Sequence, residues 1–368
     1  MNIHMKGRFA GLEIGRIFAA VIVVMHHATS IASEKRFLGE KAFSNYPSYF
    51  YVGVDFFFVL SGFIIAWVHF NDIGNKKLIK IYFIKRFIRI FPPYWGILFP
   101  LIIMYLMIPS AGDPSKRDGI NIITSIFLLP NITQPVLGVA WTLIHEVLFY
   151  IIFGLIIVGG RKYLWVLPLW ATAIIAYNQM GSWKIIPQGI FPLDFIFSPF
   201  NLEFIFGVGA ALLLRRFRVP FAKLFIVMGM VCFITAMLSG ALIHDHTLLA
   251  RIIFGTSTLI FVIGVVSYES NKQIAMPRVI WFLAAASYAV YLIHPVGLSF
   301  GAHVLVRILP THFIMTSFAV NCSVLILLGV GVLSGVIYHQ YIERFLTNVF
   351  HKILLPTKPS QIQKGAPQ

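Results

Sequence analysis

Charge is what this 368-residue sequence has least of: Asp, Glu, Lys and Arg make up 11% of it, and only 13 residues are acidic. A soluble chain draws about a quarter of its residues from those four types to cover its surface, so a soluble enzyme or binding domain is excluded. Cysteine is nearly absent too. Cys232 and Cys322 both fall in apolar runs, which excludes an extracytoplasmic disulfide framework. Metal ligands are sparse: the string HDH at 244–246 reads as a solvated outer turn with no further ligands, and no metal is expected. The one weakly structured extension is the tail PTKPSQIQKGAPQ, rich in Pro, Lys and Gln, so residues 346–368 are expected as a partly disordered cytoplasmic tail and 1–345 as a single membrane domain.

What remains is hydrophobic. Apolar residues make up 58% of the chain and aromatics 15%, with mean hydropathy +0.85. Runs of the length that spans a bilayer, about 20 residues, recur at roughly 10–31, 50–70, 92–109, 138–158, 163–178, 197–214, 221–240, 250–267, 279–299 and 314–338. The expected fold is therefore an all-α integral membrane protein of about ten transmembrane helices. The string INIITSIFLLPNI is too short to cross, is broken by Pro130, and is expected to be interfacial or re-entrant. Basic residues orient the chain. With both termini cytoplasmic, KKLIKIYFIKRFIR, Arg161, Lys162, RRFR, Lys223, Lys272 and Arg278 lie inside, leaving Lys35, Arg36, Lys41, Lys116, Arg117, Lys184, Arg251 and Arg307 outside. The net charge of +16 is then positive-inside topology beside anionic lipid, and no nucleic-acid partner is expected. The first span, with SIAS after it, mimics a secretory signal, but Arg16 in its apolar region argues against cleavage.

Some polar groups sit where lipid should be. In RIFAAVIVVMHH, Arg16 and His27 are eleven positions apart, so on a helix they return to within about 20° of one face and lie roughly 16 Å apart along the axis. His26 points about 80° away from the Arg16 direction. Asp55 in YVGVDFFFVLSGF, Glu146 beside His145 in VAWTLIHEVLFY, and His294 in SYAVYLIHP fall at similar outer-half depths on three other spans. Ionisable groups on lipid-facing positions would each cost several kcal/mol, so the simplest arrangement is a central polar cavity. At the cytoplasmic side Lys85, Arg86 and Arg89 fall within about one turn, and Pro92-Pro93 are expected to break the helix before the third span. Such a cluster serves either as a lipid-headgroup anchor or as a site for a polyanionic ligand entering from the cytoplasm.

In order along the chain, Arg16 with His27, GVDFFFVLSGFII, RFIRIFPPYW, WTLIHEVLFY, NLEFIFGVGAALL and ASYAVYLIHP resemble the membrane-bound acyltransferase family 3, and within it the exopolysaccharide- and lipopolysaccharide-modifying branch without a fused extracytoplasmic domain. The motifs run from residue 16 to 295; YIERF departs from the family in having Phe345 where Pro is common. The resemblance implies a bacterial inner-membrane O-acetyltransferase moving an acyl group, usually acetyl, from cytoplasmic acyl-CoA to a glycan hydroxyl, or that of its lipid-linked precursor, on the far side. It implies acetyl-CoA as co-substrate with no tightly bound cofactor, and leaves a homo-oligomer or polysaccharide-assembly machinery open as partners. On that reading Arg86 and Arg89 hold CoA phosphates, Arg16 steadies the donor part-way, and His27 is general base or acyl acceptor. Glu146 or Asp55 would orient its ring, and Ser61, Trp141 and His294 are the candidate substrate-binding residues, Ser61 and His294 also as oxyanion donors. A transporter or flippase using the same cavity is the alternative.

Overall fold

The computed structural model describes residues 9–182, 189–217, 219–240, 247–270, 272, 274–308 and 316–355, and in them the chain is helical. In order, the helices are α1 (Ala10–Ser33), α2 (Gly53–His69), α3 (Ile79–Met107), α4 (Gly119–Phe127), α5 (Trp141–Gly159), α6 (Val166–Ser182), the single turn α7 (Leu193–Ile196), α8 (Asn201–Arg216), α9 (Ala222–Leu238), α10 (Leu248–Glu269), α11 (Arg278–Ile308), α12 (Ser317–Tyr338) and, after a π-helical turn at His339–Glu343, α13 (Arg344–Leu354). Eight helical stretches among the described residues are long and apolar enough to cross a membrane, and the chain is a multi-pass membrane protein. The spans expected at 163–178 and 221–240 fold as the 17-residue helices α6 and α9, each about 26 Å long by helix rise. The HDH string and residues 356–368 of the tail lie outside the described residues.

Close packing of small residues, rather than burial from water, draws helices together inside a membrane. α2 and α8 meet glycine to glycine. A Cβ on Gly62 would stand 2.1 Å from the Phe204 carbonyl oxygen, and one on Gly207 would stand 2.0 Å from that of Val59, so the backbones touch because neither position carries a side chain. Around that contact the rings of Phe58, Phe149, Phe200 and Phe204 stack and tilt against one another.

Three expectations change. Pro92 and Pro93 do not break the chain: α3 runs unbroken through both and through Pro100, so the basic segment and the third span are one helix. The prolines remove the amide donors that would bond the Ile88 and Arg89 carbonyls; α3 stays helical where other helices pack on it, with Tyr338 Oη donating to the nearby Pro93 carbonyl at 2.6 Å and Tyr288 Oη to that of Ile90 at 3.2 Å. The tail expected from residue 346 opens instead with α13, whose Phe350 packs on Phe87 of α3, with ring centroids 6.2 Å apart. Arg251, counted above among the outer-loop charges, is fully buried at the start of α10. The short apolar string does form a nine-residue helix, α4, that presents Ile120, Ile123 and Phe127 outward while burying Asn121 and Ser125.

Candidate active site

Two open cavities share Arg16 and Arg89 at the end of the bundle where α1 begins. One, about 390 Å³, lies among Phe9, Glu13, Phe63, Trp67 and Trp281. The other, about 290 Å³, lies among Lys85, Tyr288, Glu343, Thr347 and His351. Helix periodicity places the basic groups: Lys85, Ile88 and Arg89 share the cavity face of α3, and Arg86 is turned a little over a quarter-turn away. Arg16 is held by Glu13, one turn before it, at 3.0 Å. Arg89 is exposed to the cavity, with its guanidinium 6.0 Å from the centre of the Tyr288 ring.

Deeper in, the same two arginines border a small cavity of about 50 Å³ walled by Ser61 of α2, Thr142 and Glu146 of α5, and Tyr288 and Tyr291 of α11. Glu146 Oε1 accepts from Ser61 Oγ at 3.1 Å and from Tyr150 Oη. Tyr291 closes the far wall, its hydroxyl 2.8 Å from Thr142 Oγ1 and 3.2 Å from the Val139 carbonyl oxygen. Its ring centroid lies 6.0 Å from that of His294, one turn on along α11.

Beyond Tyr291 three imidazoles cluster. The His27 ring centroid lies 4.8 Å from that of His294 and 4.9 Å from that of His26. His27 Nδ1 is 3.0 Å from the Val23 carbonyl oxygen and 3.2 Å from His294 Nε2, and His294 Nδ1 is 3.1 Å from the Val290 carbonyl oxygen. A carbonyl oxygen only accepts, so in the neutral rings each Nδ1 carries the proton. His294 Nε2 then accepts from His27 Nδ1, and His27 Nε2 keeps its lone pair, which is the arrangement of a general base oriented through its other nitrogen.

The sequence profile of the acyltransferase domain matches residues 9–339, nearly the whole of this bundle. The chain belongs to the acyltransferase-3 family. It is 29% identical over 266 residues to the exopolysaccharide production protein ExoZ of Rhizobium meliloti (strain 1021), covering 67% of this chain and 76% of that one. It is 26% identical over 158 residues to protein 2 in the picA locus of Rhizobium radiobacter, covering 38% of this chain and 77% of that one. No solved structure matches.

Within this acyltransferase, the expected residues divide. Arg16, Arg89, Ser61 and Glu146 share one polar wall, and His27 and His294 touch behind it. Three are elsewhere. Arg86 Nη2 sits 3.0 Å from His69 Nε2, whose Nδ1 is 2.6 Å from Asp72, and its guanidinium faces the Tyr82 and Tyr150 rings rather than either mouth cavity. Asp55 does not reach His27: its carboxylate lies 2.6 Å from Arg251 Nη1, with Glu203 alongside, all three fully buried. Trp141 packs on Phe58, Phe200 and His145 and does not line the cavity. His145 is tied by Nδ1 to Asn201 Oδ1 at 3.0 Å, which gives it a structural place. Nor does Glu146 orient His27; the Val23 carbonyl and His294 do. Sequence reading missed Tyr288 and Tyr291, although their three-residue spacing before His294 put all three on one face of α11.

Proposed function

We propose that this acyltransferase crosses the bacterial inner membrane ten times with both termini in the cytoplasm, and transfers acetyl from cytoplasmic acetyl-CoA to a hydroxyl of an exopolysaccharide or of its lipid-linked precursor on the outer side. The observation that carries the reading is the alignment of cavities: cations at one end, Arg16 and Arg89 at the join, Glu146 and Tyr291 deeper, and the His27–His294 pair behind them. Arg16 and His27 are roughly 16 Å apart on a single helix, about the reach of a CoA arm from phosphates to thioester. The name of the R. meliloti relative supports a polysaccharide acceptor.

In this reading the donor's phosphates stay at Arg89, the pantetheine arm passes Arg16, and the thioester reaches His27 past Tyr291. His27 Nε2 takes the proton of the acceptor hydroxyl as its oxygen attacks the thioester carbonyl. The tetrahedral intermediate expels CoA thiolate, the proton passes from His27 to sulfur, and an ester and CoA result. His294 Nε2 and the Val23 carbonyl hold the imidazolium in place meanwhile. Ser61, engaged with Glu146, belongs to the donor channel in this scheme.

Sealed proteoliposomes test the proposal. With radiolabelled acetyl-CoA on one face and exopolysaccharide in the lumen, label is expected on the trapped glycan. Transfer only when both are on the same face would contradict transfer across the membrane, and no transfer in any arrangement would remove the donor.

A further inference from the structure

The helix α13 lies beyond the residues matched by the family profile, which end at 339. Yet it walls the 290 Å³ mouth cavity. Thr347 and His351, one turn apart, face the cavity. The neighbouring stripe fixes that orientation, because Leu346 meets Gly96 of α3 and Phe350 packs on Phe87. Lys85 and Arg89 of α3 line the same cavity.

Charges around this cavity do not balance. Arg16 is paired with Glu13 at 3.0 Å, and Glu343, the one carboxylate among the described residues that line the cavity, lies 2.6 Å from His339 Nδ1. Lys85 and Arg89 have no carboxylate within 4 Å among the described residues. Glu146 and Glu343 act on Arg89 only from beyond ion-pair distance. Two cations without a direct carboxylate partner, beside a hydroxyl and an imidazole in a concave site, suit a phosphate-bearing ligand.

We propose that Lys85 and Arg89 of α3 together with Thr347 and His351 of α13 form a phosphate subsite for the nucleotide end of the acyl donor, so that the helix after the family domain completes the donor site. The inference rests on the acyl-CoA reading above and adds the residues that read the donor's polyanionic end. The same phosphate chemistry could come from an anionic lipid headgroup, so the test separates the two.

Binding is measured on the full-length protein in phosphatidylcholine nanodiscs, with acetyl-CoA and, separately, with adenosine 3′-phosphate 5′-diphosphate, which carries the phosphates without the acyl arm. A lost charge-assisted contact corresponds to about a tenfold change. Lys85→Ala is expected to weaken both ligands by about tenfold, His351→Ala by roughly threefold, and Lys85→Arg to restore most of the loss. Unchanged affinity in Lys85→Ala and His351→Ala, with wild type binding acetyl-CoA, overturns the subsite and leaves the transfer reading standing. Binding of adenosine 3′-phosphate 5′-diphosphate without acetyl transfer keeps the subsite and removes the transfer. Wild-type protein that binds neither ligand removes both. Counting co-purified phosphatidylglycerol by mass spectrometry covers the other source: loss of that lipid in Lys85→Ala at unchanged nucleotide affinity assigns the site to headgroups and overturns the proposal.

Discussion

Replacing Arg251 by Leu removes the only cation from a fully buried cluster that also holds Asp55 and Glu203. Its guanidinium lies 2.6 Å from Asp55 and between 4.6 and 5.7 Å from the centres of the Phe200, Tyr51 and Phe254 rings. Breaking a buried ion pair by deleting one partner costs about 3–5 kcal/mol, because the remaining charge is left uncompensated. At roughly 2–4 °C per kcal/mol, the melting temperature of Arg251→Leu in detergent should fall by at least about 5 °C. Adding Asp55→Asn to Arg251→Leu should recover part of that fall, whereas Asp55→Asn alone should lower stability. Scanning fluorimetry of the three variants and wild type, checked by size-exclusion, reads the cycle. A single variant as stable as wild type, or a double variant that falls by the sum of the two, would refute the claim that Asp55 is held in a structural pair.

Gly207→Leu is expected to abolish monodisperse protein on size-exclusion, because its Cβ would meet the Val59 carbonyl oxygen, which belongs to the backbone and cannot move aside. Arg89→Ala should raise the KM for acetyl-CoA about tenfold with kcat little changed, while Arg86→Ala should leave that KM within about twofold; steady-state kinetics distinguishes them. His294→Ala should lower kcat about tenfold at unchanged KM, since it removes a contact to His27 Nδ1 and leaves the donor cavities intact; rescue by His294→Gln, which keeps an acceptor on that side, would mark the effect as positioning.

Most of the helices were legible because ten runs of apolar residues separated by basic or Pro/Gly breaks have one physical solution in a bilayer. The Arg16–His27 relation was legible for a similar reason: both lie on one helix, where spacing alone fixes angle and rise. What the sequence hid was partnership between helices. Asp55 looked catalytic because it was buried and ionisable; its partner Arg251, 196 positions away, stood at a predicted span edge and passed for an outer-loop charge. Arg86 and Arg89 looked equivalent by spacing, and which of them faces the cavity depends on how α3 rotates against α5 and α11. Pro92 and Pro93 were misread as a break because local propensity disfavours proline within a helix, while the tyrosine hydroxyls that bond to that stretch of backbone come from α11 and α12. His294 was marked as a substrate group, but its tie to His27, 267 positions earlier, emerges only when α1 packs on α11.

The central claim is that His27 is the group that acts on the acceptor at the end of the donor channel. Its most direct test compares wild type and His27→Ala in nanodiscs for acetyl-CoA binding and for transfer of radiolabelled acetyl to an exopolysaccharide extract. The account predicts binding within about twofold of wild type and transfer reduced by about 10² to 10⁴. Transfer that survives in His27→Ala at the wild-type rate would contradict it.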